Sequence, residues 1–125
     1  MGRIRKNIEI NGKNFWTLFD TGSRNTYITK DVAQLLSTFD LPVVNHVSLG
    51  GMVHNIKQVC MLFCKIDGYN IMDEARVLEK IGKDDDGKEI DVLLGALTMQ
   101  QWGIIAVPEK EDIDMSNYPK EFIEF

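Results

Sequence analysis

A chain of 125 residues has room for one ordinary domain, since domains cluster near roughly 100–150 residues. With 44% hydrophobic and 26% charged residues, and no apolar run near the ~20 residues that cross a bilayer as a helix, the composition is that of a globular protein with no membrane partner. A formal net charge of -5 opposes a surface that tracks phosphates, which needs clustered Lys and Arg, so nucleic acid is not an expected partner.

The opening Met1-Gly2-Arg3-Ile4-Arg5-Lys6 is basic, but Asn7, Glu9 and Asn11 follow instead of the apolar stretch of a secretory leader, and a cytoplasmic setting is expected. Ile4, Ile8 and Ile10 share one parity, and Asn11-Gly12 is a two-residue turn signal. The run Phe15-Trp16-Thr17-Leu18-Phe19 returns, so a hairpin is expected that runs straight into Asp20-Thr21-Gly22. Asn25-Thr26-Tyr27-Ile28 reads as a short strand. Thr29 is placed to cap a helix over residues 30–37, with Val32, Leu35 and Leu36 on its buried side, ending before Pro42.

Val43, Val47 and Leu49 alternate up to Gly50-Gly51, and residues 52–66 resume as a long extended arm, which predicts a second hairpin with a glycine tip. Cys60 and Cys64 lie in that arm. Four residues of strand separate them by about 13 Å, too far for a disulfide, so both are expected as small buried hydrophobes. Asp67-Gly68 turns the chain into a strand in which Tyr69, Ile71, Ala75 and Val77 alternate with polar residues. The polar runs at residues 83–89 and 109–112 read as solvated loops.

Ile90-Asp91-Val92-Leu93-Leu94-Gly95 is a compact apolar strand. A helix over residues 96–102 should follow, stopped by Gly103, with Met99 and Trp102 on its core face. A last strand at residues 104–107 ends at Pro108, which predicts a domain over residues 1–107 and a C-terminal tail over 108–125. Strands dominate, and the expected class is mainly β. His46, His54, Cys60 and Cys64 match no closed zinc spacing, so no metal site is expected.

Asp, Thr and Gly are ordinary turn residues, so Asp20-Thr21-Gly22 gains meaning only from its surroundings. An apolar strand delivers the Asp, Gly22 allows a tight turn behind it, and Ser23 sets a hydroxyl close by. Phe19-Asp20-Thr21-Gly22-Ser23, then Tyr27-Ile28-Thr29, a helix, a hairpin tipped by Gly50-Gly51, and Val92-Leu93-Leu94-Gly95 opening a helix together resemble the retropepsin-like aspartic peptidases in content and order. The resemblance covers roughly residues 4 to 107. It implies a closed-barrel-like acid-protease fold of one lobe with a flap hairpin and one or two short helices.

It also implies roles. Asp20 would be the catalyst, Thr21 a dimer-facing hydroxyl that locks two loops together, and Gly22 a backbone contact for substrate, while Ser23, Gly50, Gly51 and Met52 would face the peptide. Ser23 stands where pepsin-like members use a hydroxyl to support the outer carboxylate oxygen. Hydrolysis through an activated water needs one carboxylate and one carboxylic acid. No second Asp-Thr-Gly or Asp-Ser-Gly occurs, so the resemblance implies a homodimer with peptide or protein as substrate and no cofactor. Arg24-Asn25 and Ala96-Leu97 stand where retroviral members carry interface charges. Other contacts must then hold the pair, and residues 104–107 and 122–125 are the candidates. The alternative is a lapsed member of the fold that only dimerises or binds peptides.

Overall fold

In the computed structural model, which describes residues 3–121, the expected first hairpin joins β1 (Arg3–Ile10) to β2 (Lys13–Asp20), with Ile10 opposite Lys13. Asn11 and Gly12 both take positive φ, 51° and 78°, as a two-residue turn matched to strand twist demands. Ile4, Ile8 and Ile10 enter the main core together, as one parity of a pleated strand must.

β3 (Tyr27–Thr29) precedes a single turn of helix, α1 (Lys30–Ala33). The flap hairpin is β4 (Thr38–Leu49) and β5 (Met52–Ile66), and β6 (Tyr69–Leu78) returns through the Asp67-Gly68 turn. β7 (Val92–Leu94) then leads into α2 (Ala96–Trp102). One sheet runs in the order β1-β2-β7-β3-β6-β5-β4, and Glu9 of β1 also pairs with Lys65 of β5. That pairing closes the sheet on itself and leaves β4 as an outer edge, the mainly β, barrel-like lobe expected.

β7 sits between β2, to which it is parallel, and β3, to which it is antiparallel. All three of its residues are buried, so the unbroken apolar run Val92-Leu93-Leu94 reflects a strand with core on both faces. In β5, Cys60, Leu62, Cys64 and Ile66 alternate into the core, and both cysteines are free thiols. Gly103 closes α2 with φ 68°. Its N–H donates to the Gln100 carbonyl and that of Ile104 to Met99, the paired bonds of a glycine-stopped helix. Met99 and Trp102 are buried as expected.

Several expectations are corrected. The helix after Thr29 is four residues long, because the N–H groups of Leu35 and Leu36 turn to the carbonyls three residues back and the chain is already extended at Thr38. Leu35 is 37% exposed, and its carbonyl is taken by the Asn11 side chain. Thr29 makes no side-chain capping bond. Pro42 lies inside β4, not outside it. An edge strand tolerates the missing donor, and the register shifts there, with residues 41–44 facing Lys57 alone.

The acidic run is tied down. Asp84 accepts the Trp16 indole N–H at 2.8 Å and the backbone N–H groups of Asp86 and Lys88, while Arg5 pairs with Asp86 at 2.9 Å. The chain past Val107 is also part of the body. A short 3-10 turn (Pro108–Lys110) leads to β9 (Asp112–Asp114), which pairs with β8 (Ile105–Val107). Ile113 and Met115 join the core, and Lys6 holds Asp112 at 2.7 Å. The aromatic end, Phe122 to Phe125, lies outside the described residues.

Candidate active site

Asp20 is the last residue of β2 and is only 6% exposed, yet it lines a cleft of about 630 Å³ under the flap. The turn that follows is built by hydrogen bonds. The Ser23 N–H donates to the Asp20 carbonyl at 3.1 Å, and the Gly22 N–H to Asp20 Oδ1 at 2.8 Å. The second carboxyl oxygen, Oδ2, lies 3.4 Å from Arg3 Nε, because Arg3 stands directly opposite Asp20 in the β1–β2 register. One oxygen is thus held by backbone and the other by a guanidinium.

The loop is locked from below by the end of β7. Ala96 N–H donates to the Ser23 carbonyl at 2.6 Å and Leu97 N–H to the Arg24 carbonyl at 3.1 Å, so the first turn of α2 spends its unpaired donors on the loop. Gly95 N–H donates to Thr26 Oγ1 at 3.0 Å. Thr98 gives its only hydroxyl proton to Asp73 Oδ2 at 2.6 Å, so in the 2.7 Å Thr26–Thr98 contact Thr26 is the donor. The chain of bonds from Gly95 through Thr26 and Thr98 to Asp73 therefore has one direction. All of its hydroxyls are satisfied, which makes a buried polar relay stabilising.

The flap supplies the roof. Gly50 and Gly51, with φ of 57° and 81°, form its two-residue tip between the paired Leu49 and Met52. Val47, Ser48, Leu49 and Gly50 line the cleft with Asp20, Gly22 and Ser23. Its apolar floor is Leu18, Tyr27, Ile81 and Leu93 of the smaller core cluster, against which Val47 and Leu49 of the flap pack. Gly51 and Met52 stay at the exposed tip and do not line the cleft. Thr21 is exposed on the loop beside Asp20.

Ser23 differs from its expected role. Its hydroxyl donates to the Asn25 carbonyl at 3.0 Å and so stiffens the loop rather than supporting the Asp20 carboxylate. His54 does not line this cleft but a different hollow, with Lys30, Asp40 and Glu79. His46 Nδ1 is engaged by the Asn55 side chain at 2.6 Å. Sequence reading missed Arg3, Arg24 and Lys83, which all line the cleft. Only the strict β1–β2 register, which sets Arg3 across from Asp20, was available as a signal.

No family model matches the sequence, and no curated protein matches it. Solved structures do. One is the retroviral protease-like domain of Ddi1 from Leishmania major, at 15% identity over 94% of this chain and 90% of that one, with a TM-score of 0.64. Another is EIAV protease in complex with the inhibitor HBY-793, at 18% identity over 81% of this chain and 88% of that one, with a TM-score of 0.57. At such identities the likeness is one of fold: this chain has the retropepsin-like fold of a single lobe with a flap.

Proposed function

We propose that the protein is an aspartic endopeptidase that works as a homodimer, hydrolysing peptide bonds with a water activated by two Asp20 carboxyls. The observation that carries this reading is the setting of Asp20: a nearly buried carboxylate on a hydrogen-bonded turn, opening into a flap-covered cleft. It is the only acid among the described residues that line that cleft. Two like charges at close range cannot both ionise, so a second Asp20 brought up by a twofold axis leaves one carboxyl as base and the other as acid. The water loses a proton to the first while the carbonyl oxygen receives one from the second.

In this reading Thr21 faces its own copy across the axis, Gly22 and Ser23 border the peptide, and the Gly50-Gly51 tip closes over it with Met52 beside it. An extended peptide would pair with the flap backbone and seat side chains on the Leu18, Tyr27 and Leu93 floor. Leu97, 45% exposed and bonded to the loop through its N–H, offers apolar surface where interface charges are missing. Ile105 on β8 is exposed as well, and residues 104–107 together with 122–125 are our candidates for holding the pair. The setting proposed is cytoplasmic.

A mixed peptide library incubated from pH 3 to pH 8 tests the reading, beside an Asp20→Asn control and with light scattering for size. We expect cleavage by a dimer and none by the control. A strict monomer, or equal cleavage by the control, would sink it. A dimer that binds peptides without cutting them would be the lapsed alternative.

A further inference from the structure

The chain carries a net charge of -5, yet three cations, Arg3, Arg24 and Lys83, line the cleft against a single carboxylate, Asp20. The sign of the cleft is opposite to that of the molecule. Arg3 shares its charge with Asp20 through one nitrogen and remains 60% exposed. Arg24 and Lys83 are exposed and enter no ion pair among the described residues. Of the acids nearest Lys83 in sequence, Asp84 and Asp86 are engaged by Arg5 and Asp84 also by Trp16, while Asp85 lines an adjoining hollow with Arg3 and Lys83 and pairs with neither among the described residues.

The backbone that carries each of the three cations is held in place. Arg24 follows the locked turn and its carbonyl is bonded by Leu97 N–H. Lys83 pairs through its backbone with Glu89 at the base of the clipped acidic loop. Arg3 is fixed by its cross-strand position opposite Asp20. Positive groups above an apolar floor of Leu18, Tyr27 and Leu93 make a cleft in which the centre takes apolar side chains and the margins take carboxylates.

We infer that the preferred substrate is an acidic peptide: apolar residues at the bond to be cut, with Asp or Glu side chains on both flanks. This rests on the peptidase dimer proposed above, in which a twofold axis would place Arg3, Arg24 and Lys83 on both sides of the bound peptide. The net charge of the chain disfavours such a peptide, so its attraction must come from the cations at the cleft. Charge complementarity of this kind acts mainly on encounter and specificity, and salt screens it.

Binding and cutting are tested apart. Three fluorescein-labelled decapeptides share an apolar centre and carry Glu, Gln or Lys at the flanking positions, and their affinity for the Asp20→Asn protein is read by anisotropy. Asn keeps the side-chain oxygen that Gly22 N–H bonds. We expect the Glu peptide to bind about tenfold more tightly than the Gln peptide and the Lys peptide least, with the ratio shrinking between low and high salt. Arg24→Gln and Lys83→Gln, both at exposed positions, should each cut that ratio severalfold. Equal binding of Glu and Gln peptides, or a preference for Lys, overturns the inference. Incubating the same peptides with the unsubstituted protein separates the two readings. Cleavage without charge preference removes only the substrate class, whereas selective binding of the Glu peptide without cleavage removes only the peptidase.

Discussion

Gly95 is packed against the peptide of Asn25 so closely that a methyl group on its Cα would overlap the Asn25 carbonyl. Its φ of -91° is open to any residue, so the need for glycine here is one of space rather than of backbone angle. The glycine lets β7 and α2 pass directly under the Asp20 loop, where its N–H donates to Thr26 Oγ1.

Gly95→Ala must therefore push the loop away from the strand that supports it. The neighbour is backbone, which cannot rotate aside, and overpacking of this kind costs about 1–3 kcal/mol. We expect a lower urea midpoint with an unchanged slope, and activity lost beyond what the instability explains. A midpoint equal to that of the parent would show that the loop yields freely.

Ser23→Ala should act on stability and not on the acid–base chemistry. Its hydroxyl donates to the Asn25 carbonyl, so removal costs about 0.5–1.5 kcal/mol while the Asp20 contacts to Gly22 and Arg3 remain. The pH–rate profile of the variant should keep the parent's shape. A displaced acid or base limb would mean that the hydroxyl turns to the carboxylate when substrate binds.

Asp84 sets a pH dependence of stability. The Lys88 backbone N–H, then the Trp16 indole and the Asp86 N–H, with Arg5 nearby, hold its carboxyl below the usual carboxylate range. A carboxylate favoured in the folded state stabilises fully above its unfolded value of about 4, and that contribution fades as pH falls through the lower folded value. Asp84→Asn should thus lower the urea midpoint at pH 7 and make progressively less difference below about pH 4. A gap that stays constant down to pH 2 would assign the effect to the lost hydrogen-bond geometry alone.

The two thiols should be silent in the folded protein. Burial pushes the Cys60 thiol up to about 11 and that of Cys64 up to about 12. At pH 8 the reactive thiolate is then scarcer than in an unfolded chain by at least about a hundredfold. A disulfide-exchange reagent should label neither cysteine in buffer and both in denaturant. Fast labelling without denaturant would show that β5 opens locally.

Local signals were readable wherever a residue's own chemistry decides its conformation. Asn11-Gly12 and Asp67-Gly68 accept positive φ and so make turns, Gly103 ends a helix, and the alternation of Cys60, Leu62, Cys64 and Ile66 marks a strand with one face inward. The helix after Thr29 was overextended because the apolar spacing at Val32, Leu35 and Leu36 fits a helix equally well. Tertiary pairing of Ser37 and Thr38 with β5 wins there. β9 was missed because Asp112-Ile113-Asp114 has too few apolar residues to show a period, and it is a strand only because β8 offers it an edge.

The sequence by itself determined the mainly β class, the strand that ends in Asp20, the glycine-tipped hairpin and the strand that ends in Gly95, because turn chemistry and period-2 burial are local properties. Only the tertiary structure decided what surrounds Asp20: Arg3 across the hairpin, Ser23 turned to Asn25, and Arg24 and Lys83 gathered at one cleft from distant parts of the chain. Those relations depend on register and on which strands lie side by side. A residue's neighbours across a sheet are set by the whole set of pairings, which no local pattern encodes.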